Sequence, residues 1–187
     1  MCIMFHFYGN RSKDKNVDLD NMADDQFLDD LWSLYFHDPY NSDWTFASYV
    51  RICDVTSIVM FETLMQHIST NLHLGMFFLF RESVFPCWDD PNNINGGSLS
   101  FKVLKVDVSR FWNDLCKKMM NEDIVVSSFT SDIVTGMSIS PKKNFCIIKV
   151  WLRDTQIVEK RQLKVDPRYT GEALYKSHRD NIAVGKT

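Results

Sequence analysis

Three tryptophans and an acidic turn supply the side-chain types that bind a flat, positively charged base. Trp44, Trp88 and Trp151 each lie in a segment whose pattern predicts a strand. Asp89 follows Trp88 directly, in the stretch FPCWDDPNNINGG. An indole face stacks on a cationic ring, and a carboxylate accepts two N–H bonds from the edge of a guanine. Together these residues predict a site for a methylated, positively charged guanine.

The same residues also have ordinary structural interpretations. A tryptophan on a strand is more often a core residue than a ligand contact. Asp89 and Asp90 both fit a polar turn ahead of Pro91. We assign Trp32 and Trp112 to the core. No pattern typical of a catalytic nucleophile, a zinc protease or a phosphate-binding loop occurs, so we do not expect an enzyme.

Composition limits the class of protein without deciding its function. The 187 residues fit one domain, and a net charge of −3 argues against a surface that coats nucleic acid. The five cysteines are scattered and lack C-x-x-C spacing, so we expect neither a zinc site nor a disulfide framework. We also expect no other metal and no cofactor. Reduced thiols fit a cytoplasmic protein. No apolar run reaches the roughly 18 residues of a membrane helix.

Periodicity predicts an α+β fold built on an antiparallel sheet. Helical spacing of apolar residues predicts one helix over 57–70, capped by Thr56 or Ser57, and a second over about 108–121, capped by Asp107. Strands are predicted at 31–36, from Trp44 onward, and at 76–82, 98–103, 133–139 and 145–152. With both helices on one face of the sheet, the other face stays open for a ligand.

The two ends of the chain are predicted to lie outside this domain. Residues 9–30 are polar and become acidic, so we expect residues 1–27 to form a flexible N-terminal arm. The binding domain is predicted to span 28–180, and residues 181–187 are expected to form a mobile C-terminal tail. Residues 154–169 are ambiguous between a short helix and a strand.

Five segments, in order along the chain, resemble the motifs of one known family. They are LWSLYFHDPYNSDW, the helix that ends in QHI, FPCWDDPNNINGG, SRFWNDL and YKSHRD. In these segments the chain resembles the eukaryotic translation initiation factor 4E family, whose members bind the 7-methylguanosine cap of messenger RNA. The resemblance implies a curved antiparallel sheet, with the cap on its concave face and two to three helices on its convex face.

The resemblance also implies a role for each residue of the base site. Trp44 and Trp88 would sandwich the methylated base, and Trp151 would lie against its N7-methyl group. Asp89, in preference to Asp90, would replace the family glutamate that accepts the N1 and N2 hydrogens of guanine. Aspartate is one methylene shorter than glutamate, so either the base must shift or this segment must approach it.

The phosphate site implied by the resemblance has fewer cations than usual. Lys142 matches a family arginine that contacts the cap phosphates. A second phosphate-binding lysine of the family aligns with Ile147, and Lys149, two residues on and on the same strand face, is the expected substitute. A basic residue that follows the paired glycines in the family is Ser98 here.

The convex face departs from the family where partner proteins bind. A family tryptophan on the first helix receives the tyrosine-x-x-x-x-leucine motif of scaffold factor 4G and of repressors; here it is Glu62, with Ile58 one turn earlier. We expect a monomer that binds capped mRNA and a scaffold of the 4G type, or a divergent equivalent, to recruit mRNA for translation initiation. The alternatives are a cap-binding repressor or decoy with altered scaffold binding, and a partner-binding module that has lost cap affinity.

Overall fold

Seven strands and three helices form the part of the chain that the computed structural model describes, residues 27–185. The strands are β1 (Phe27–His37), β2 (Val50–Ser57), β3 (Met76–Arg81), β4 (Gly97–Leu104), β5 (Val134–Pro141), β6 (Phe145–Leu152) and β7 (Ala173–Ser177). The helices are α1 (Ile58–Ile68), α2 (Val108–Met120) and α3 (His178–Gly185). Within these residues, no helix is long and apolar enough to cross a bilayer.

All seven strands pair antiparallel in one curved sheet, in the order β2-β1-β3-β5-β6-β4-β7. The predicted fold class is therefore confirmed, including the hairpin of β5 and β6 that carries Lys142 in its turn. The chain enters β4 through Gly96, where an added Cβ would lie 1.8 Å from the Leu152 carbonyl oxygen. Only glycine therefore fits this close approach of the chain to β6.

The sheet buries one face under α1 and α2 and presents the other face to a separate set of aromatic residues. Side chains alternate between the faces of a strand, so Leu79 packs in the main core while its neighbour Phe78 joins a smaller cluster with Trp151. We call the helical side of the sheet convex and the other side concave. Trp32 and Trp112 are fully buried in the main core, as predicted. Truncating such a side chain to alanine costs about 3–5 kcal/mol.

The two long helices begin close to their predicted positions, but only one has its predicted cap. Ser57 caps α1, because its Oγ accepts a hydrogen bond from the Met60 N–H at 3.2 Å. The predicted capping role of Asp107 at α2 is wrong. Its backbone is already helical after a short 3-10 turn, and its carboxylate accepts a bond from Arg110 at 3.0 Å instead of from a backbone N–H.

The domain limits drawn from the sequence stay a prediction. The N-terminal arm, 1–27, lies outside the described residues apart from Phe27, which begins β1. Helix α3 continues to Gly185, past the predicted domain end at 180, and residues 186–187 lie outside the described part. The ambiguous segment 154–169 is a loop that contains one 3-10 turn, Lys160–Gln162.

Candidate base-binding site

Two of the three candidate tryptophans lie on loops, so the prediction that Trp44 and Trp88 stand on strands is wrong. Trp151 lies on β6 as predicted. The loop between β1 and β2 is irregular because Asp38 and Asn41 accept hydrogen bonds from the N–H groups two residues on, each at 2.9 Å. Such local bonds compete with the ladder of a sheet, which explains why the apolar alternation after residue 44 does not produce a strand there.

The loop tryptophans are unusually exposed for their residue type. Trp44 is 53% exposed and Trp88 is 38% exposed. Trp44 stacks on His37 of β1, with ring centroids 4.1 Å apart and 5° between the ring planes. Both loops therefore expose indole surface, although neither tryptophan stands on a strand.

An aromatic contact joins the two tryptophan loops. Phe46, two residues after Trp44, packs against Phe85, three residues before Trp88, with ring centroids 4.6 Å apart. Tyr49 packs against Phe85 at 5.0 Å, and its hydroxyl donates to a backbone carbonyl of the second loop at 3.4 Å. These contacts restrain the separation of the two indoles. Sequence inspection did not identify them, because the partners are far apart along the chain.

Of the two acids that follow the second tryptophan, Asp90 is the one held by backbone N–H groups of the loop. The Asp90 carboxylate accepts N–H bonds from Phe85 at 3.1 Å and from Asn92 at 2.8 Å. Asp89 is exposed and takes no part in these bonds. Burial, and then a side-chain hydrogen bond with the Asp89 carboxylate, raise the pKa of the Cys87 thiol to about 12. Because Asp89 is exposed and accepts neither of these backbone N–H bonds, it has more acceptor capacity left for a ligand than Asp90 has.

Asn93 ties the second tryptophan loop to the sheet. Its side-chain amide is buried and donates to the carbonyls of Phe85 and Cys87 at 3.1 and 2.9 Å. Its Oδ1 accepts from Thr135 of β5 at 2.8 Å, and its backbone carbonyl lies 2.7 Å from Nδ1 of His178. A buried amide with all of these partners rigidifies the loop that it joins.

Trp151 lies in the smaller aromatic cluster on the concave face and is only 4% exposed. Its Nε1 donates to Ser138 Oγ at 2.8 Å, and its ring packs edge-on against Phe80, with centroids 5.2 Å apart. The His178 ring lies 4.7 Å away on another side. A tryptophan held in this way can offer a ligand only an edge of its ring.

Lysines line the concave face next to Trp151, and the sequence prediction missed one of them. Ser98 of β4 pairs with Trp151 on one side and with Lys176 of β7 on the other. Burial first, and then the ammonium groups of Lys176 and Lys142, lower the pKa of Lys149. Among residues 27–185, no salt bridge engages any of these three lysines. The alternation of ALYKS is the signal that could have assigned Lys176 to this face.

His178 adds a neutral polar group beside Trp151. Burial lowers its pKa, the hydrogen bond to the Asn93 carbonyl partly offsets this, and the Lys149 ammonium lowers it again. Because a carbonyl only accepts, Nδ1 carries the proton, and Nε2 presents a lone pair. In the described part of the chain, no group of three or more His, Cys, Asp or Glu side chains is placed to hold a metal ion.

The partner-binding position predicted on the convex face is taken up by an ion pair. Glu62 of α1 forms a salt bridge with Lys117 of α2, so the two helices are joined by charge at the surface. Ile58, one turn earlier on α1, is partly buried and packs against the main core. A partner that inserts an apolar side chain between these helices must first separate this pair.

Comparison with known proteins places the chain in a family. A family model described as eukaryotic initiation factor 4E matches residues 27–185. A wheat (Triticum aestivum) protein, eukaryotic translation initiation factor NCBP, is 36% identical over 131 residues, which cover 63% of this chain and 52% of the relative. The chain thus spans about half the length of that relative.

Solved structures share the fold at low sequence identity. Caenorhabditis elegans eIF4E-3, in a complex with the 4E-binding protein Mextli and a cap analog, matches with a TM-score of 0.69 at 19% identity, over 84% of this chain and 95% of the other. Ascaris suum eIF4E-3 with the m7G cap matches with a TM-score of 0.61 at 20% identity, over 70% and 74%. Since the family model extends over most of the sequence, the chain belongs to the eukaryotic initiation factor 4E family.

Proposed function

We propose that this protein binds the 7-methylguanosine cap of messenger RNA, with the base between Trp44 and Trp88. The observation that carries the proposal is the pair of exposed indoles on loops that Phe46 and Phe85 hold together. Exposed aromatic surface on a restrained framework favours a flat ligand. Methylation at N7 makes guanine cationic, which strengthens stacking on electron-rich rings, and each stack is worth roughly 1–3 kcal/mol.

Asp89 supplies the specificity for guanine in this proposal. Its carboxylate accepts the N1 and N2 hydrogens of the base, whereas adenine presents an acceptor at N1 and would be repelled. The exposed position of Asp89 supports this assignment, and so do the backbone N–H bonds that Asp90, and not Asp89, accepts from the loop. Trp151 contributes an edge contact to the N7-methyl group, in keeping with its burial.

The phosphates of the cap lie, in this proposal, over the lysines of the concave face. Lys142 and Lys149 are the two cations expected from the sequence, and Lys176 is a third from the neighbouring edge strand. Three ammonium groups without an acidic partner in the described chain repel one another. A triphosphate bridge would relieve that repulsion and would favour the charged form of Lys149.

The cellular role follows from family membership together with this site. We infer a non-enzymatic, cytoplasmic and monomeric factor that recruits capped mRNA for translation initiation through a scaffold of the 4G type or a divergent equivalent. The nematode relatives, whose complexes contain the m7G cap or the 4E-binding protein Mextli, support this assignment.

A second candidate function is favoured by the convex face. The Glu62–Lys117 ion pair stands where an apolar partner motif would dock, which suits a cap-binding repressor or decoy that does not engage the usual scaffold. A binding assay with a tyrosine-x-x-x-x-leucine peptide separates the two functions. Strong binding to this peptide would exclude the repressor, and absence of binding would exclude the conventional scaffold contact.

The test of cap binding is a tryptophan-fluorescence titration with 7-methyl-GTP, with GTP as the control ligand. Wild type is expected to show saturable quenching by the methylated nucleotide only, and Trp88→Ala is expected to lose it. Equal responses to both nucleotides would contradict cap recognition and would favour a partner-binding module without cap affinity. Thermal unfolding of Trp88→Ala checks that the variant keeps its fold.

A further inference from the structure

His37, the last residue of β1, lies beneath Trp44 and is completely buried. The two rings are 4.1 Å apart and almost parallel, so the imidazole covers one face of the indole. Trp44 nevertheless keeps about half of its surface exposed. Since its inner face is covered by a buried ring, the exposed surface of Trp44 is the opposite face together with the ring edges.

A hydrogen bond from His37 also holds the residue next to Trp44. Nε2 of His37 lies 2.8 Å from the Asp43 carbonyl oxygen, which can only accept, so Nε2 carries the proton. Nδ1 is then a buried lone pair that has no partner among the described residues. On the other side of Trp44, the N–H and the hydroxyl of Thr45 donate to the Asp43 carboxylate at 2.8 and 3.0 Å.

Tyr49 encloses the stacked pair from a third direction. Its ring lies 5.1 Å from His37 and 6.3 Å from Trp44, edge-on to both. The indole is thus supported from below and from one edge, while its outer face has no aromatic neighbour of this kind in residues 27–185. The orientation of the indole is therefore set by its neighbours in the chain before any base binds.

We propose that His37 is a positioning residue for base binding, which holds the indole of Trp44 with its free face outward. The stacking partner reduces the conformational freedom that an exposed tryptophan on a loop would lose on binding, and lower ordering cost raises affinity. The identity of the base rests on the function proposed above, but the support of Trp44 by His37 does not. An aromatic pair of this kind corresponds to roughly a fivefold effect on affinity.

Two substitutions separate the ring from the hydrogen bond. His37→Phe keeps a flat ring under Trp44, and it removes both the donor to Asp43 and the unpartnered Nδ1. His37→Gln keeps a donor and removes the ring. In titrations with 7-methyl-GTP, we expect H37Q to weaken binding about fivefold and H37F to stay within about twofold of wild type. The matched control is His67→Gln, an exposed histidine on α1, which is expected to change nothing.

A double-mutant cycle shows whether His37 acts through Trp44. In a Trp44→Ala background, H37Q is expected to cause no further loss of affinity. The same fivefold loss in both backgrounds, or no loss in either, would overturn the proposal. Thermal unfolding is followed for each variant, and if H37Q does not fold, His37→Leu, which fills space without a flat ring, replaces it with the same expected loss.

A measurement without ligand keeps this proposal separate from cap binding. The acrylamide quenching of Trp44 is obtained as the difference between each protein and its Trp44→Ala counterpart. We expect H37Q to raise this quenching and H37F to leave it unchanged. If wild type does not prefer 7-methyl-GTP, the proposed function is rejected, but acrylamide quenching still tests the positioning role of His37. An increase of quenching in H37Q supports that role, and no change rejects it.

Discussion

The concave and convex faces of the sheet differ in whether their polar and aromatic groups have partners within the protein. On the concave side, Trp44 and Trp88 expose indole surface, and Lys149 lies near other lysines without an acidic partner in the described chain. On the convex side, Glu62 and Lys117 are paired with each other across two helices. Groups left without partners indicate a ligand, and groups that are already paired indicate solvent or a polar partner.

The unpartnered groups of the concave face cost more free energy than the ion pair of the convex face contributes. Crowded ammonium groups and exposed aromatic surface both destabilise the empty site, and a bound anion and a flat base would remove both costs. The exposed ion pair of the convex face is worth only about 0–1 kcal/mol. The comparison therefore predicts larger changes in nucleotide affinity from concave substitutions than from convex substitutions.

The largest expected effect separates the two acids of the Trp88 loop. Asp89→Asn should weaken 7-methyl-GTP binding about thirtyfold, the loss of roughly 2 kcal/mol expected for a charged hydrogen-bond acceptor, with an unchanged melting temperature. Asp90→Asn is the matched control, and it should lower the melting temperature because one of the two acceptor oxygens becomes an NH2 donor, so the N–H bond from Phe85 or that from Asn92 is lost. If D90N loses affinity and keeps its stability while D89N does not lose affinity, the two roles are reversed.

A gain of binding tests the convex face. Glu62→Trp removes the ion pair with Lys117 and provides an aromatic surface between the helices. We expect it to increase the affinity for a tyrosine-x-x-x-x-leucine peptide about tenfold, because a buried aromatic anchor is a typical hot spot. Nucleotide affinity should not change. Peptide binding by wild type as tight as by E62W would show that the ion pair is no barrier.

A smaller effect is expected at Lys149, with opposite signs for affinity and stability. Burial and neighbouring lysines lower the pKa of Lys149, so the unfolded chain binds its proton more tightly and the charge destabilises the fold at neutral pH. Lys149→Met should raise the melting temperature by about 1–2 °C and weaken 7-methyl-GTP binding about threefold.

The lowered pKa of Lys149 also predicts how the stability of the protein depends on pH. Stability of wild type should rise as the pH increases from the lowered pKa of Lys149 towards the ordinary lysine value of about 10.4, and K149M should lack this component. Lys143→Met, at an exposed position in the turn between β5 and β6, is the control. An equal rise in melting temperature for both variants would mean that added apolar surface, and not relief of repulsion, is responsible.

The smallest effect is expected from breaking the convex ion pair without adding an anchor. Glu62→Gln should change the free energy of unfolding by less than about 1 kcal/mol and leave nucleotide affinity within twofold of wild type. Chemical denaturation at low and high salt measures it, and the difference from wild type should shrink as salt increases. A loss of nucleotide affinity in E62Q would show that the two faces are coupled.

Local periodicity was sufficient to predict most of the fold. Helix α2 has its apolar stripe at helical spacing and was predicted to within a residue at each end, and the strands β3 and β6 were predicted with similar accuracy. Asp107 failed as a cap because a 3-10 turn before α2, which no residue pattern announced, had already given it helical backbone angles.

The site was only partly predictable because its support comes from distant parts of the chain. The loop placement of Trp44 depends on side-chain bonds from Asp38 and Asn41 that outcompete strand pairing. Contacts such as Phe46 with Phe85 and the approach of Lys176 to Lys149 depend on how the chain folds back on itself. Residue types identified the side chains that could bind a ligand, and the contacts between distant segments determined which of them are exposed and held in place.

The link between Asn93 and His178 has a consequence for how the protein is made. The loop that carries Trp88 emerges early from the ribosome, but its anchor at His178 and the edge strand with Lys176 are synthesised much later. Strand β4 lies between β6 and β7, which both follow it in the chain, so its second neighbour is made only at this late point. Since such distant pairings form late, a nascent chain should acquire its binding site only when synthesis of the described fold is nearly complete.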